Sequence, residues 1–468
     1  MSFPTAADIA AAVRSRRTTA RAETAACLDR IDARQASLNA FVTVCRQEAL
    51  AAADAVDAAA EPGPLAGVPF SVKDNIETRG VRTTWGSRTL ESHVPTVEAV
   101  AVTRLRRAGA VMIGKTTLPE FASTVLARSP LTGTTRNPWN PALTPGGSSS
   151  GAAAAVAAGL GPIALTTDAG ASTRLPAALC GVLGIKPTIG LIPYELFPDG
   201  FGNFIHMGLM ARTVEDLALA LDTVSGEDPR DPQSIGMAPT RAVAAVGTAA
   251  SLAGERIHWR PLFGNAALDA EVRALCEAAL GCLADAGATL VERSDPFEGA
   301  GTAWRTLQQM NWAGRFGLPD EAGQKLLDAG FLAGVRAAHA TGGFELAQAI
   351  YRRTACFRTV QQWFGECEWL ATPVFTVAGV PADAAGDTRL TINGRDAGEL
   401  RTAWAPYLSL FNFSGHPAIS IPAGFTAAGM PVGLQLVGRL RSDAALLQRA
   451  RLIESARPWA GRMPPAPD

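Results

Sequence analysis

The stretch that most narrows what this chain can become runs through residues 145–176, where two glycine-bracketed serine turns flank one helix and one strand. The first turn, Gly146-Gly147-Ser148-Ser149-Ser150, opens an alanine-rich segment that predicts a buried helix over 149–158, stopped by Gly159. Side chains this small let a helix pack closely against its neighbours on every side. Residues 163–166 then predict a short apolar strand, and Asp168-Ala169-Gly170-Ala171-Ser172 is the second turn. A turn, helix, strand, turn sequence of this length can bring two serines over one site.

The remainder of the 468 residues must supply the scaffold. Hydrophobic content of 47% with 18% charged residues is that of a compact globule with a large core. Forty-two basic residues against 43 acidic give no electrostatic case for nucleic acid or an anionic membrane, so the expected partner is a small molecule. Seven widely spread cysteines without a CxxC pair read as buried free thiols in a reducing compartment, with no metal and no cofactor implied. The N-terminal residues lack the apolar segment of a signal peptide, and the run at 151–165 is too short and glycine-interrupted to span a bilayer. A cytoplasmic location is expected.

Only four lysines occur: Lys73, Lys115, Lys186 and Lys325. Where arginine supplies nearly all positive charge, a lysine in apolar surroundings invites a chemical explanation. Residues 5–60 predict three helices, broken near 37–39 and capped by residues such as Thr18 and Thr19. After Pro62-Gly63-Pro64, an apolar strand runs directly up to Lys73. Taken alone, this segment favours a lysine snorkelling from a core strand over a catalytic one. A helix is expected over 96–108 and a strand over 110–113.

Two motif matches have the wrong context. Residues 109–116, GAVMIGKT, fit the phosphate-binding pattern GxxxxGK[ST], but its intervening residues are themselves a strand and a helix precedes it. Residues 147–151, GSSSG, fit the nucleophile elbow GxSxG with Ser149 at the apex. The Pro- and Gly-rich approach supplies no strand to lead into that elbow. The downstream histidines His206, His258, His339 and His416 show no accompanying signature.

A serine hydroxyl is a weak nucleophile until a base removes its proton. The two turns lack a neighbouring histidine in sequence, and the chain offers Lys73, Ser148 and Ser172. The segments GVPFSVKDN, GKTTLPEFA, NPWNP, TPGGSSSGAAAAVAAG and TTDAGASTRLPAALCGVLGIKPT resemble the amidase signature family of Ser-cisSer-Lys hydrolases, as do the later FNFSGHPAISIPAGF and GMPVGLQLVG. The likeness covers roughly residues 1–225 and 405–440. It implies Ser172 as nucleophile, Ser148 as the bridging serine after a cis peptide bond, and Lys73 as base. It also implies an oxyanion hole from the backbone of Ala169, Gly170, Ala171 and Ser172, and substrate contacts at Ala122 and Thr124. A lysine serves as base near neutrality only when desolvation lowers its pKa from about 10.4, and the apolar strand offers that setting. Asp168 and Arg174 are expected to pin the turn.

The implied fold is α/β, a mixed twisted central sheet covered on both faces by helices, in one domain over 1–468. Within it lie N-terminal helices at 1–60, a catalytic core at 61–225 and 405–440, and a variable region at 226–400 shaping the substrate entrance. Homodimers are common in the family. The family's usual Gly-Gly-Ser is Gly170-Ala171-Ser172 here, which would strain the turn if Ala171 required positive φ. Glutaminase subunits of aminoacyl-tRNA amidotransferases carry Gln where this chain has Leu175, favouring a free-standing amidase for an apolar, aryl or alkyl amide. Esters, anilides and carbamates present a similar carbonyl. Phe197, Phe201 and Phe204 are candidates for an apolar pocket or for simple packing. The alternatives are an esterase using Ser149 and a partner-dependent subunit.

Overall fold

The structure is a computed structural model that describes residues 3–248, 251–295 and 300–466. The three expected N-terminal helices form as α1 (Ala6–Arg14), α2 (Ala20–Leu38) and α3 (Arg46–Asp57). Thr5 and Asp8 close a reciprocal capping box on α1, and Thr19 caps α2 by accepting from the Ala22 N–H. Between α2 and α3 lies an unforeseen strand, β1 (Phe41–Val44). Its four residues are strand formers, but the run is too short to show a period of two.

The chain continues with β2 (Pro69–Lys73), α4 (Val100–Arg107), β3 (Val111–Thr116) and a small hairpin of β4 (Arg128–Ser129) and β5 (Gly133–Thr134). Then come α5 (Ser150–Ala157), β6 (Ile163–Asp168), α6 (Arg174–Cys180), β7 (Leu183–Lys186), β8 (His206–Ala211) and α7 (Val214–Val224). β3 runs past Ile113 through Gly114, Lys115 and Thr116, so the phosphate-loop pattern is extended strand along its last six residues.

Residues 226–400 contain α8 (Ala242–Val246), β9 (Arg256–Trp259), α9 (Ala270–Asp285), β10 (Thr289–Glu292), α10 (Gly301–Phe316) and α11 (Glu321–Gln324). They continue with α12 (Ala329–Ala340), α13 (Gly343–Trp363), β11 (Trp369–Pro373) and the hairpin β12 (Arg389–Ile392) and β13 (Arg395–Glu399). The chain closes with α14 (Leu400–Ala403), α15 (Ser409–Phe413), β14 (Ala418–Phe425), β15 (Pro431–Val437) and α16 (Asp443–Ala456). The stretch FNFSGHPAISIPAGF thus begins as the end of α15 and becomes strand only at Ala418.

Eleven strands form one mixed sheet, ordered β1-β3-β2-β6-β8-β7-β14-β15-β11-β9-β10 and flanked by helices. β2 lies between β3 and β6, parallel to both, and every residue of all three is buried. Such strands are covered on both faces, which explains their unbroken apolar runs. β9, β10 and β11 extend the far edge of this sheet, so residues 226–400 do more than frame an entrance. α5 is buried at each residue, and a Cβ at Gly151 would stand 2.2 Å from the Ala40 carbonyl oxygen. Glycine is what lets this helix start so close to β1 and β3.

Candidate active site

Lys73 is the last residue of β2, and the strand's burial carries it into the interior with no exposed surface. Its Nζ donates to Ser148 Oγ at 2.7 Å, to Thr167 Oγ1 at 3.1 Å and to the Thr167 carbonyl at 3.3 Å. Burial pushes the Lys73 ammonium down to about 7, while the negative charge of Asp168 works in the opposite direction. The Gly147–Ser148 peptide bond is cis, and Ser148 is fully buried.

The second turn hangs between the end of β6 and the start of α6. Asp168 and Arg174 form an ion pair at 2.9 Å with both side chains completely buried. All five guanidinium donors are satisfied, by both Asp168 oxygens, the Leu408 carbonyl, Gln435 Oε1 and Asn412 Oδ1. Burial favours a raised Asp168 pKa, but Arg174, the Thr173 N–H and Lys186 together hold the carboxyl far below the usual range. From the cavity side, Trp304 Nε1–H donates to the Ala169 carbonyl at 2.8 Å. A Cβ on Gly170 would lie 2.7 Å from that indole. Ala171 is not among the residues with positive φ, so the methyl group fits this turn without left-handed strain. Among the described residues, the N–H groups of Ala169, Gly170, Ala171 and Ser172 donate to no protein acceptor.

Ser172 faces two spaces. A main cavity of about 390 Å³ is lined by Ala122, Thr124, residues 169–172 and side chains of α10 such as Trp304 and Gln308. An inner compartment of about 30 Å³ is lined by Ser148, Thr167, Asn75, Tyr194 and Phe197, and shares Ala122, Ala169, Ser172, Gln308 and Trp312 with the main cavity. The structure thus gathers all the expected site residues around one position, though no hydrogen bond joins Ser148 Oγ to Ser172 Oγ among the described residues. Of the three phenylalanines, Phe197 reaches the site, Phe204 packs edge-on against Phe413, and Phe201 is 87% exposed.

Sequence reading missed α10 altogether. Trp304, Gln308, Trp312 and Arg315 recur at helical spacing on one face, and that face lines the two spaces. Arg315 stacks 4.2 Å over Trp85 beside the inner compartment. The spacing was visible in the sequence; its destination was not.

The other candidates are occupied elsewhere. Ser149 is buried and its Oγ donates to the Thr167 carbonyl at 3.4 Å, with no histidine partner among the described residues. Lys115 is saturated by Ile76, Thr78 and Thr83, and Lys186 donates to the carbonyls of Pro187 and His416. Six cysteines are buried and Cys282 is half-buried, all of them free. Among the described residues, no group of three or more His, Cys, Asp or Glu could hold a metal ion, and no helix is long and apolar enough to cross a membrane.

Comparison with known proteins follows the same lines. The family description "Amidase" matches residues 22–447. An acylamidase of Rhodococcus erythropolis is 35% identical over 465 residues, covering 98% of this chain and 96% of that protein. A glutamyl-tRNA(Gln) amidotransferase subunit of Roseiflexus sp. (strain RS-1) is 36% identical over 473 residues, with 95% and 94% covered. A crystal structure of a bacterial aryl acylamidase of the amidase signature family superposes with a TM-score of 0.90 at 28% identity, covering 98% of this chain and 99% of that one.

Proposed function

The chain belongs to the amidase signature family and is an amide-hydrolysing enzyme, and from that premise we propose a free-standing amidohydrolase that works through an acyl-enzyme on Ser172. The observation that carries this reading is the 2.7 Å contact between a fully buried Lys73 and Ser148, at the wall of a compartment that also contains Ser172. In the proposed cycle Ser172 attacks the substrate carbonyl, and its proton passes through Ser148 to neutral Lys73. The relay returns that proton to the departing amine, and water then cleaves the acyl-enzyme.

The four unengaged N–H groups at 169–172 suit the oxyanion, where loss of one donor typically costs about 10²–10³ in rate. Asp168 and Arg174 act by position, holding the turn rigid. Ala122 and Thr124 border the main cavity, whose Trp304, Trp312, Val125 and Leu400 suit an apolar, aryl or alkyl group. Esters, anilides and carbamates present the same carbonyl chemistry and are side substrates in this reading. A fluorophosphonate probe followed by peptide mapping tests the assignment: an adduct on Ser172 that is lost in Lys73→Ala supports it, and an adduct on Ser149 overturns it.

The 36% identity to an amidotransferase component favours a second reading, in which turnover requires a partner protein. Purified chain that is inert alone and rescued by lysate from its source would support that reading over the first.

A further inference from the structure

Asn75 and Gln308 each bury a side-chain carbonyl oxygen, Oδ1 and Oε1, that has no hydrogen-bond partner among the described residues. Asn75 is 4% exposed and Gln308 5%, and both line the inner compartment. The Asn75 amide nitrogen is already committed to Thr167 Oγ1 at 2.9 Å, which leaves its oxygen as the unengaged end. A buried acceptor without a donor costs stability, and both residues border one small space, which favours an occupant that brings N–H groups to them.

We propose that Asn75 and Gln308 select the leaving group: they accept the two N–H bonds of an unsubstituted carboxamide nitrogen in the inner compartment, restricting efficient turnover to R–CO–NH₂ with R in the main cavity. This rests on the reading of Ser172 as nucleophile and Ser148 as relay. Ser148 lines the inner compartment and not the main cavity, so a nitrogen that takes its proton from the relay must sit on the inner side. Size agrees with this placement. One water needs about 10–15 Å³ of such space and a benzene ring occupies a cavity of about 150 Å³. The inner compartment's 30 Å³ therefore suits ammonia or water as the departing group better than an aniline. An N-substituted amide would offer one N–H and set a carbon against the second oxygen.

The step balances. The Ser172 oxygen forms a bond to the carbonyl carbon, the C–N bond breaks, and the proton from Ser172 reaches the departing NH₂ through Ser148 and Lys73, releasing ammonia. Water then yields the free acid.

The test compares substrates with one acyl group: hexanamide, N-methylhexanamide, N-phenylhexanamide and methyl hexanoate. The wild-type enzyme is expected to prefer the primary amide over the N-phenyl amide by 100-fold or more in kcat/KM. In Gln308→Leu, kcat/KM for hexanamide should fall tenfold or more while methyl hexanoate, which has no N–H to lose, changes less than threefold. A merely structural role would lower amide and ester together. Calorimetric binding to Ser172→Ala repeats the ranking without turnover, so hexanamide should bind more tightly than N-phenylhexanamide there. Equal binding or equal turnover of the two, or a parallel loss on amide and ester, overturns the proposal. Failure of the underlying nucleophile assignment shows separately, as absence of the fluorophosphonate adduct on Ser172.

Discussion

Lys73 and Lys115 occupy neighbouring parallel strands, with Val72 opposite Lys115 and Lys73 opposite Thr116. Both are wholly buried, and burial pushes both ammonium groups down, Lys73 to about 7 and Lys115 to about 8. Their partners differ. Lys115 donates to the Ile76 carbonyl at 2.6 Å and to the hydroxyls of Thr78 and Thr83 at 3.1 and 2.7 Å, with Asp74 and Glu77 adding favourable charge. None of the groups it touches lines either space beside Ser172. Lys73 touches a serine that does. Burial alone makes a weakly charged lysine; what the amine is connected to decides whether that property can be used in chemistry.

The sharpest way to break this contrast is to remove each amine. Lys73→Ala should lower kcat/KM by about 10²–10⁴, the usual contribution of a general base, with the fold intact by circular dichroism. Lys115→Met should leave kcat/KM within about threefold. It should instead lower the urea midpoint, by about 1–3 kcal/mol in stability, because the Ile76 carbonyl and the Thr78 and Thr83 hydroxyls lose the ammonium donor and keep only the bonds from Thr78 to Ile76 and from Thr83 to Val81. A folded Lys115→Met enzyme as inactive as Lys73→Ala would erase the distinction.

A smaller effect sharpens it. If neutral Lys73 is the base, kcat/KM should climb tenfold per pH unit below about 7 and level off above it. The charge on Asp168 raises the Lys73 pKa, so Asp168→Asn should move that limb to lower pH in whatever fraction folds. Lys115→Met should leave the limb in place. A limb that follows Lys115 instead would assign the base to the wrong strand.

The contrast also separates what the sequence could and could not disclose. Lys73, Ser148 and Ser172 were singled out by resemblance to the amidase signature family, whose motifs here take in an apolar strand ending at a lysine and two glycine-bracketed turns around an alanine helix. The sheet's central strands were legible as continuous apolar runs. Trp304, Gln308 and Trp312 were not, since their face meets the turn that carries Ser172 only through the docking of α10, more than 130 residues along the chain from Ser172. A short apolar run such as Phe411–Phe413 fits a strand or a buried helix equally well, and the structure has it as the end of α15. The doubt at Ala171 turned on one dihedral angle that no sequence prints.

The finest test is thermodynamic and needs no substrate. A lysine whose folded pKa lies below its unfolded value binds fewer protons when folded, so the unfolded chain takes up protons that the native one refuses, and stability rises with pH between the two values. For Lys73 the window opens at about 7 and closes near the unfolded value of about 10.4; for Lys115 it opens at about 8. Each should contribute a slope of about 1.4 kcal/mol per pH unit inside its window. Raised thiols elsewhere oppose this at high pH, so the slope is read as a difference between wild type and Lys73→Met or Lys115→Met, in which shared groups cancel. Between pH 7 and 8 only the Lys73→Met difference should change with pH, and above 8 both should. Urea midpoints taken at half-unit intervals resolve that order, and a difference for Lys73→Met that stays flat throughout would mean the amine is charged in the folded protein and is no base at neutral pH.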